Sequence, residues 1–271
     1  MRLRVFLFAV LFLSATFAYS FQEVKTLNLP ADGIKKLEID CGAGFLKVRG
    51  NEALNEIRVE AEIIVKGKSE KKAKDFIKKY IELFLDKRGN RAVLVSKIKP
   101  FHSLFSFRQR VINVTVDVPK NMPLDIDDGS GSISIENING NIDVDDGSGS
   151  MSIEDVEGEI VIDDGSGGLS IEDITGNVEI EDGSGEIELQ NVAGNVEIED
   201  GSGKINAREI AGDVSIDDSS GSMYLFDIHG EVVVSDGSGS INIDGVDKDV
   251  IIKRDGTGSV KIKNVKGKVI K

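Results

Sequence analysis

A tetrapeptide, Asp128-Gly129-Ser130-Gly131, returns in the same or a closely related form at Asp146, Asp164, Asp182, Asp200, Asp218, Asp236 and Asp255. The steps are 18 residues, except for a last step of 19. Its final position is glycine in every unit: Gly131, Gly149, Gly167, Gly185, Gly203, Gly221, Gly239 and Gly258. A second glycine follows nine residues later (Gly140, Gly158, Gly176, Gly194, Gly212, Gly230 and Gly267), with Lys248 as the exception. Each unit is thus two nonapeptide halves of the form G-x-Φ-x-Φ plus a turn, where Φ is apolar. Self-similarity at a short fixed period confines a chain to repeat architectures, in which each unit buries its apolar face against its neighbours.

The Φ-x-Φ alternation predicts strands with one buried face. In the first unit Ile133 and Ile135 point inward from one strand and Ile142 and Val144 from the other, while Ile138 plugs the core from the turn between them. Asp-Gly and Asn-Gly supply turn chemistry. Of the corner glycines, Gly165 is expected at positive φ. Strands of about five residues cannot bury a face alone. Stacking identical units at about 4.8 Å brings like residues into ladders, which an antiparallel meander would not do. The expected fold is all-β: a parallel right-handed β-solenoid with two strands per 18-residue coil. The expected domains are a signal peptide (1–20), an N-terminal β region with one amphipathic helix (21–121), and eight repeats (122–271).

The N-terminal region is less regular. Leu37 to Val48 reads as a worn copy of the repeat's first half, and strands are expected over 57–65, 92–98 and 111–118. Between them Ala73, Phe76, Ile77, Tyr80, Ile81, Phe84 and Leu85 form a helical stripe, predicting a helix over 69–86 ended by Gly89-Asn90. Its other face carries Lys71, Lys72, Lys74, Lys78 and Lys79, and its expected role is to cover the end of the solenoid. A basic helix on a membrane surface is the competing reading.

At the amino terminus, Arg2 and Arg4 precede an apolar run, Val5 to Leu13, with small residues before Phe21. This is the pattern of a secretory signal cleaved after Ser20 or, as second choice, after Ala18. An uncleaved anchor competes with it, although the run is short against the roughly 20 residues of a membrane span. The expected location is extracytoplasmic: periplasm, cell surface or secreted.

Charge is segregated. Residues 1–121 carry 23 basic and 13 acidic side chains, and residues 122–271 carry 10 and 34. Seven of those ten lie at the end: Lys253, Arg254, Lys261, Lys263, Lys266, Lys268 and Lys271. The net charge of −14 excludes nucleic acid as the expected partner. A cell-envelope component, a glycan or a protein remains, with peripheral membrane contact through the basic helix or the aromatic stretch Phe101 to Phe107.

No catalytic constellation is legible. His102 and His229 lie in unlike contexts, and the single Cys41 excludes an internal disulfide. The recurring glycines are turns, not a phosphate loop. The acidic corner offers calcium the column Asp128, Asp146, Asp164, Asp182, Asp200, Asp218 and Asp236 as candidate ligands, and no other cofactor is expected. The preferred reading is that each Asp bonds backbone amides of its own turn. In coil size the array resembles the β-rolls of repeat-in-toxin proteins. In Gly129-Ser130-Gly131-Ser132-Ile133, however, Ile stands where their calcium-binding Asp would be, so that site does not carry over.

GAGFLKVRG (42–50) and the DGSGSISIENINGNIDV-like repeats resemble the bacterial and archaeal putative-adhesin family of β-strand-repeat proteins. That resemblance implies an exported or envelope-associated protein and supplies no catalytic residues. The expected function is an exported, non-enzymatic envelope structural or adhesion-like module. The alternatives are a carbohydrate-active β-helix enzyme and a calcium-dependent surface β-roll.

Overall fold

The computed structural model describes residues 19–67, 69–100 and 109–271. The proposed signal segment therefore lies outside the described residues up to Ala18, and so does Phe101 to Phe107 with His102.

The N-terminal part contributes β1 (Tyr19–Pro30), β2 (Lys36–Asn51), β3 (Glu56–Gly67), α1 (Glu70–Tyr80), β4 (Ile81–Arg88), β5 (Arg91–Ile98) and β6 (Gln109–Pro119). The repeats begin with β7 (Leu124–Ile138), β8 (Ile142–Asp146), β9 (Gly149–Val156), β10 (Ile160–Asp164), β11 (Gly167–Ile174), β12 (Val178–Asp182) and β13 (Gly185–Val192). They continue through β14 (Val196–Asp200), β15 (Gly203–Ile210), β16 (Val214–Asp218), β17 (Gly221–Ile228), β18 (Val232–Val246), β19 (Val250–Thr257), β20 (Val260–Val265) and β21 (Val269–Ile270).

These strands form a β-solenoid with two parallel faces. On the first, β8, β10, β12, β14 and β16 stack with every partner 18 residues away, as in Ile142↔Ile160 and Ile160↔Val178. On the second, β9, β11, β13, β15 and β17 do the same, as in Ile153↔Ile171 and Ile171↔Leu189. The 19-residue step is absorbed as a bulge. Val234 pairs Ile252 but Ser235 pairs Arg254, leaving Lys253 as the extra residue.

The stack does not begin at the first repeat. β2 lies on β7 along both faces, from Leu37↔Leu124 to Arg49↔Glu136, so the worn copy is a whole coil. Above it, β5 continues the first face and β6 the second. β3 then turns antiparallel on β6 and β1 antiparallel on β3, while β4 turns antiparallel on β5. Antiparallel strands end the parallel ladder at this edge, and α1 packs on β1, β3 and β4 with Ala73, Phe76 and Ile77 buried.

The helix is shorter than its stripe predicts. Ser69 caps it, accepting from the Lys72 amide at 3.5 Å, and Ile81 is already extended. Ile81 to Arg88 form a strand instead, joined to β5 by a turn in which Gly89 has φ 67°. Pairing along the whole of β5 outweighs local helix preference here.

The expectation for Gly165 also fails. Positive φ falls on the last glycine of the corner (Gly167 has φ 154°), and Gly165 is not among the positive-φ residues. Close approach between coils fixes both. A Cβ on Gly167 would stand 1.5 Å from Gly149 O, and one on Gly165 would stand 2.6 Å from Gly147 O. The left-handed conformation recurs elsewhere, at Asn137, Asp155, Asp173, Asn191, Glu209, Asp227 and Asn264, with φ from 53° to 62°. This kink reverses the strand's alternation, so that Ile138 turns inward only three residues after Ile135 and is fully buried.

Candidate functional site

The alternation that buries Ile142 and Val144 carries on to Asp146. The corner aspartates therefore point into the stack rather than out of it. Asp128, Asp146, Asp164, Asp182, Asp200, Asp218 and Asp236 are each 5 % exposed or less. They pair in register from coil to coil, Asp128↔Asp146 and Asp146↔Asp164 among them. Two uncharged residues continue the column upward. Cys41 pairs with Asp128 and Ser96 with Cys41, and both are buried. At the lower end Asp255 pairs with Asp236 but is exposed.

Each corner carboxylate uses one oxygen on its own turn. Oδ1 of Asp146, Asp164, Asp182, Asp200, Asp218 and Asp236 accepts from the serine amide two residues on, at 2.8 to 3.2 Å. The turn backbone is tied to its neighbours: Gly165 N–H donates to Asp146 O at 2.8 Å and Gly167 N–H to Ser184 O at 2.9 Å. The second oxygen, Oδ2, is buried without a hydrogen-bond partner in all seven residues. Burial raises every one of these carboxyls above the ordinary Asp range, and the serine amides oppose the rise, as the Gly129 amide does at Asp128. Asp128 and Asp200 are pushed up to about 7, and Asp164 and Asp218 to about 6, with neighbouring column carboxylates adding to the effect of burial. Burial, reinforced by Asp128, likewise raises the Cys41 thiol, keeping it neutral.

Outside the column the two faces differ. The first presents a wall of exposed carboxylates: Asp143, Asp145, Asp163, Glu179, Glu181, Glu197, Glu199 and Asp217. Arg254 reaches Asp217 at 3.8 Å, at the wall's lower end. The second presents small hydroxyls over three coils, Ser132 and Ser134, Ser150 and Ser152, then Ser170 beside Gly168. Lower down come Lys204, which meets Glu186 at 2.9 Å, and the exposed ring of Phe226. At the corner opposite the aspartates, side chains bond the next coil's backbone. Asn177 Oδ1 accepts from Asn195 N–H and Asn195 Oδ1 from Asp213 N–H, both at 2.9 Å.

The calcium candidates are therefore brought into one column, with one oxygen of each taken by its turn. Among the described residues, no three His, Cys, Asp or Glu side chains converge in a way that could hold a metal ion. His229 Nδ1 stands 3.0 Å from Asp247 Oδ2 on the surface, a pairing sequence reading did not find. Lys266 and His229 together hold the Asp247 carboxyl below its usual range.

The family model described as Toastrack DUF4097 matches residues 34–269, spanning β2 and the repeats alike. The chain belongs to the Toastrack family. Among solved structures, the Toastrack chain is similar to three proteins, each described as putative. A lipid binding protein from Parabacteroides distasonis is 13 % identical, with a TM-score of 0.39 over 92 % of this chain and 97 % of that one. A cell adhesion protein from Clostridium sporogenes is 15 % identical, with a TM-score of 0.35 over 90 % and 99 %. An adhesin from Bacteroides fragilis is 15 % identical, with a TM-score of 0.33 over 91 % and 96 %. No curated protein matches the chain. Among the described residues, no helix is long and apolar enough to cross a membrane, which leaves strand-built membrane proteins aside.

Proposed function

We propose that this Toastrack chain is an exported, non-enzymatic module that serves the cell envelope as a structural or adhesion-like interaction surface. The observation that carries the reading is the in-register stack itself. It holds rows of outward side chains at a fixed spacing on two faces of different chemistry, mostly carboxylates down one and hydroxyls on the upper three coils of the other. Catalysis draws unlike groups to one point. A ladder instead repeats one group along a line, which suits an extended partner. The partner in this reading is a cell-envelope component, whether glycan or protein.

The test is retention of immobilised mature protein on isolated envelopes and on a glycan panel. Two face variants accompany it: E179Q/E181Q/E197Q/E199Q on the first face and S134Y/S152Y/S170Y on the second. Retention abolished by one face variant and kept by the other is the expected result. Binding no stronger than that of an unrelated protein of equal charge would remove the proposal.

A further inference from the structure

The seven corner aspartates pose a chemical problem that the turn does not solve. A carboxylate needs partners for both oxygens when water is withdrawn. Here each Oδ2 is buried and unpartnered, and the next copy of the same group lies one coil away, about 4.8 Å along the stack. Packing leaves little choice of counterion. The corner is closed, with Oδ2 of all seven aspartates sealed from solvent and reached by no hydrogen-bond donor. A metal ion would need several further oxygens around it. The counterion that takes no room is a proton.

We propose that the buried corner column is a proton-binding array: in the folded solenoid the aspartates from Asp128 to Asp236 keep protons on Oδ2 at a pH where the exposed carboxylates of the outer wall are already ionised, and their ionisation loosens the stack. The groups facing the column favour the neutral form over most of its length. Asp127, Asp145, Asp163 and Asp217 flank it, and column neighbours face one another. Lys97 opposes this at the Asp128 end, beyond which Cys41 is neutral. Arg254 opposes it at Asp236, where Asp255 favours it. Asp200, with only like charges near it and a value of about 7 against 3.8 for an ordinary Asp, binds its proton roughly a thousandfold more tightly in the folded chain than in the unfolded one.

The sign follows from linkage. The folded-state pKa lies above the unfolded one, so the folded chain binds more protons between the two values. Its stability is greatest on the acid side and is lost as pH rises through about 6 to 7. Most acidic proteins owe their acid loss of stability to carboxylates shifted the other way.

The experiment follows the side-chain carboxyl carbons of the wild-type protein by NMR from about pH 4 to about pH 8.5, with melting curves over the same range. D164N/D182N/D200N is the inner variant, because Asn keeps the acceptor for the serine amide and places an uncharged group where the protonated oxygen stands. D163N/E181Q/E199Q removes equal charge from the outer wall. In the expected result a set of Asp carbons titrates two to three units above the rest. The wild-type Tm falls from pH 5 to 8, and the inner variant melts higher than wild type at pH 8 with a flatter slope while the outer variant keeps it. Should the inner variant not fold, the wild-type titration decides by itself. Inner carbons that titrate with the outer ones would overturn the proposal. So would a Tm raised by millimolar calcium well beyond magnesium or matched sodium chloride, which would assign the column to a cation instead.

Discussion

Replacing Ile171 by alanine tests whether the stack is stabilised coil by coil. Ile171 belongs to a column that runs Ile135, Ile153, Ile171, Leu189, Ala207, Leu225, Ile243 and Ile262 in unbroken register. It is 1 % exposed and touches a column mate above and below. The change removes three carbons, about 2.4 kcal/mol of transfer free energy at about 0.8 per carbon, and leaves a cavity that neighbouring coils cannot fill. A loss of about 3 to 4 kcal/mol is expected. Ile262→Ala makes the same chemical change in the same column, but Ile262 is half-buried and pairs only with Ile243. Its expected cost is about 1 kcal/mol. Urea unfolding measures both, and amide exchange locates the damage, which matters because a repeat array need not unfold in one step. Ile171→Ala should speed exchange in β9 to β13, and Ile262→Ala in β20 alone. Equal losses, or exchange spread over the whole chain in both variants, would refute nearest-neighbour stabilisation.

Two further outcomes follow from the same geometry. Gly167→Ala should destabilise by more than about 3 kcal/mol and Gly165→Ala by about 1 to 2, since the first drives a Cβ into Gly149 O at 1.5 Å and the second meets Gly147 O at 2.6 Å. Thermal melts giving the reverse order would contradict the steric reading. Asn195→Ala removes the acceptor for the Asp213 amide and should cost about 1 kcal/mol by urea unfolding, whereas Asn195→Asp, which keeps the acceptor, should cost less.

Much of the fold was legible because the repeat is strict. An 18-residue period with alternating apolar positions fixes strand, register and inward face together, and the ladders follow it residue by residue. Legibility fails where a residue run satisfies two periods. Ile81, Phe84 and Leu85 suit a helical stripe, while Ile81, Leu83 and Leu85 suit a strand, and only the partner strand β5 decides between them. The left-handed kink was visible and went unread. Seven of the eight equivalent positions from residue 137 to 264 hold Asn, Asp or Gly, the residues that tolerate that conformation, and Glu209 breaks the series.

The aspartate column itself follows from the period, but its burial was missed, and for a different reason. An acidic residue before glycine reads as a turn at the surface, and composition gives no reason to look further. Alternation gives one. In Ile142-Asp143-Val144-Asp145-Asp146 the inward parity set by Ile142 and Val144 falls on Asp146, so of two adjacent aspartates the second must point in and the first out. The same parity holds at Ile160 to Asp164 and at Val178 to Asp182. The outer member of the pair changes freely between Asp and Glu and becomes Ser235, while the inner member is Asp in every coil of the array. That contrast has a physical cause. The outer group meets water, whereas the inner one must reach a serine amide two residues ahead from within a corner closed by backbone, and glutamate is one carbon too long to do so. Asp182→Glu should therefore be costlier than Glu181→Asp one position away. Comparing their melts at one pH on the acid side, where burial favours the neutral form of the Asp182 carboxyl, separates the fit of the side chain from its charge. Equal melting of the two variants at that pH would mean that the corner does not select aspartate by its length.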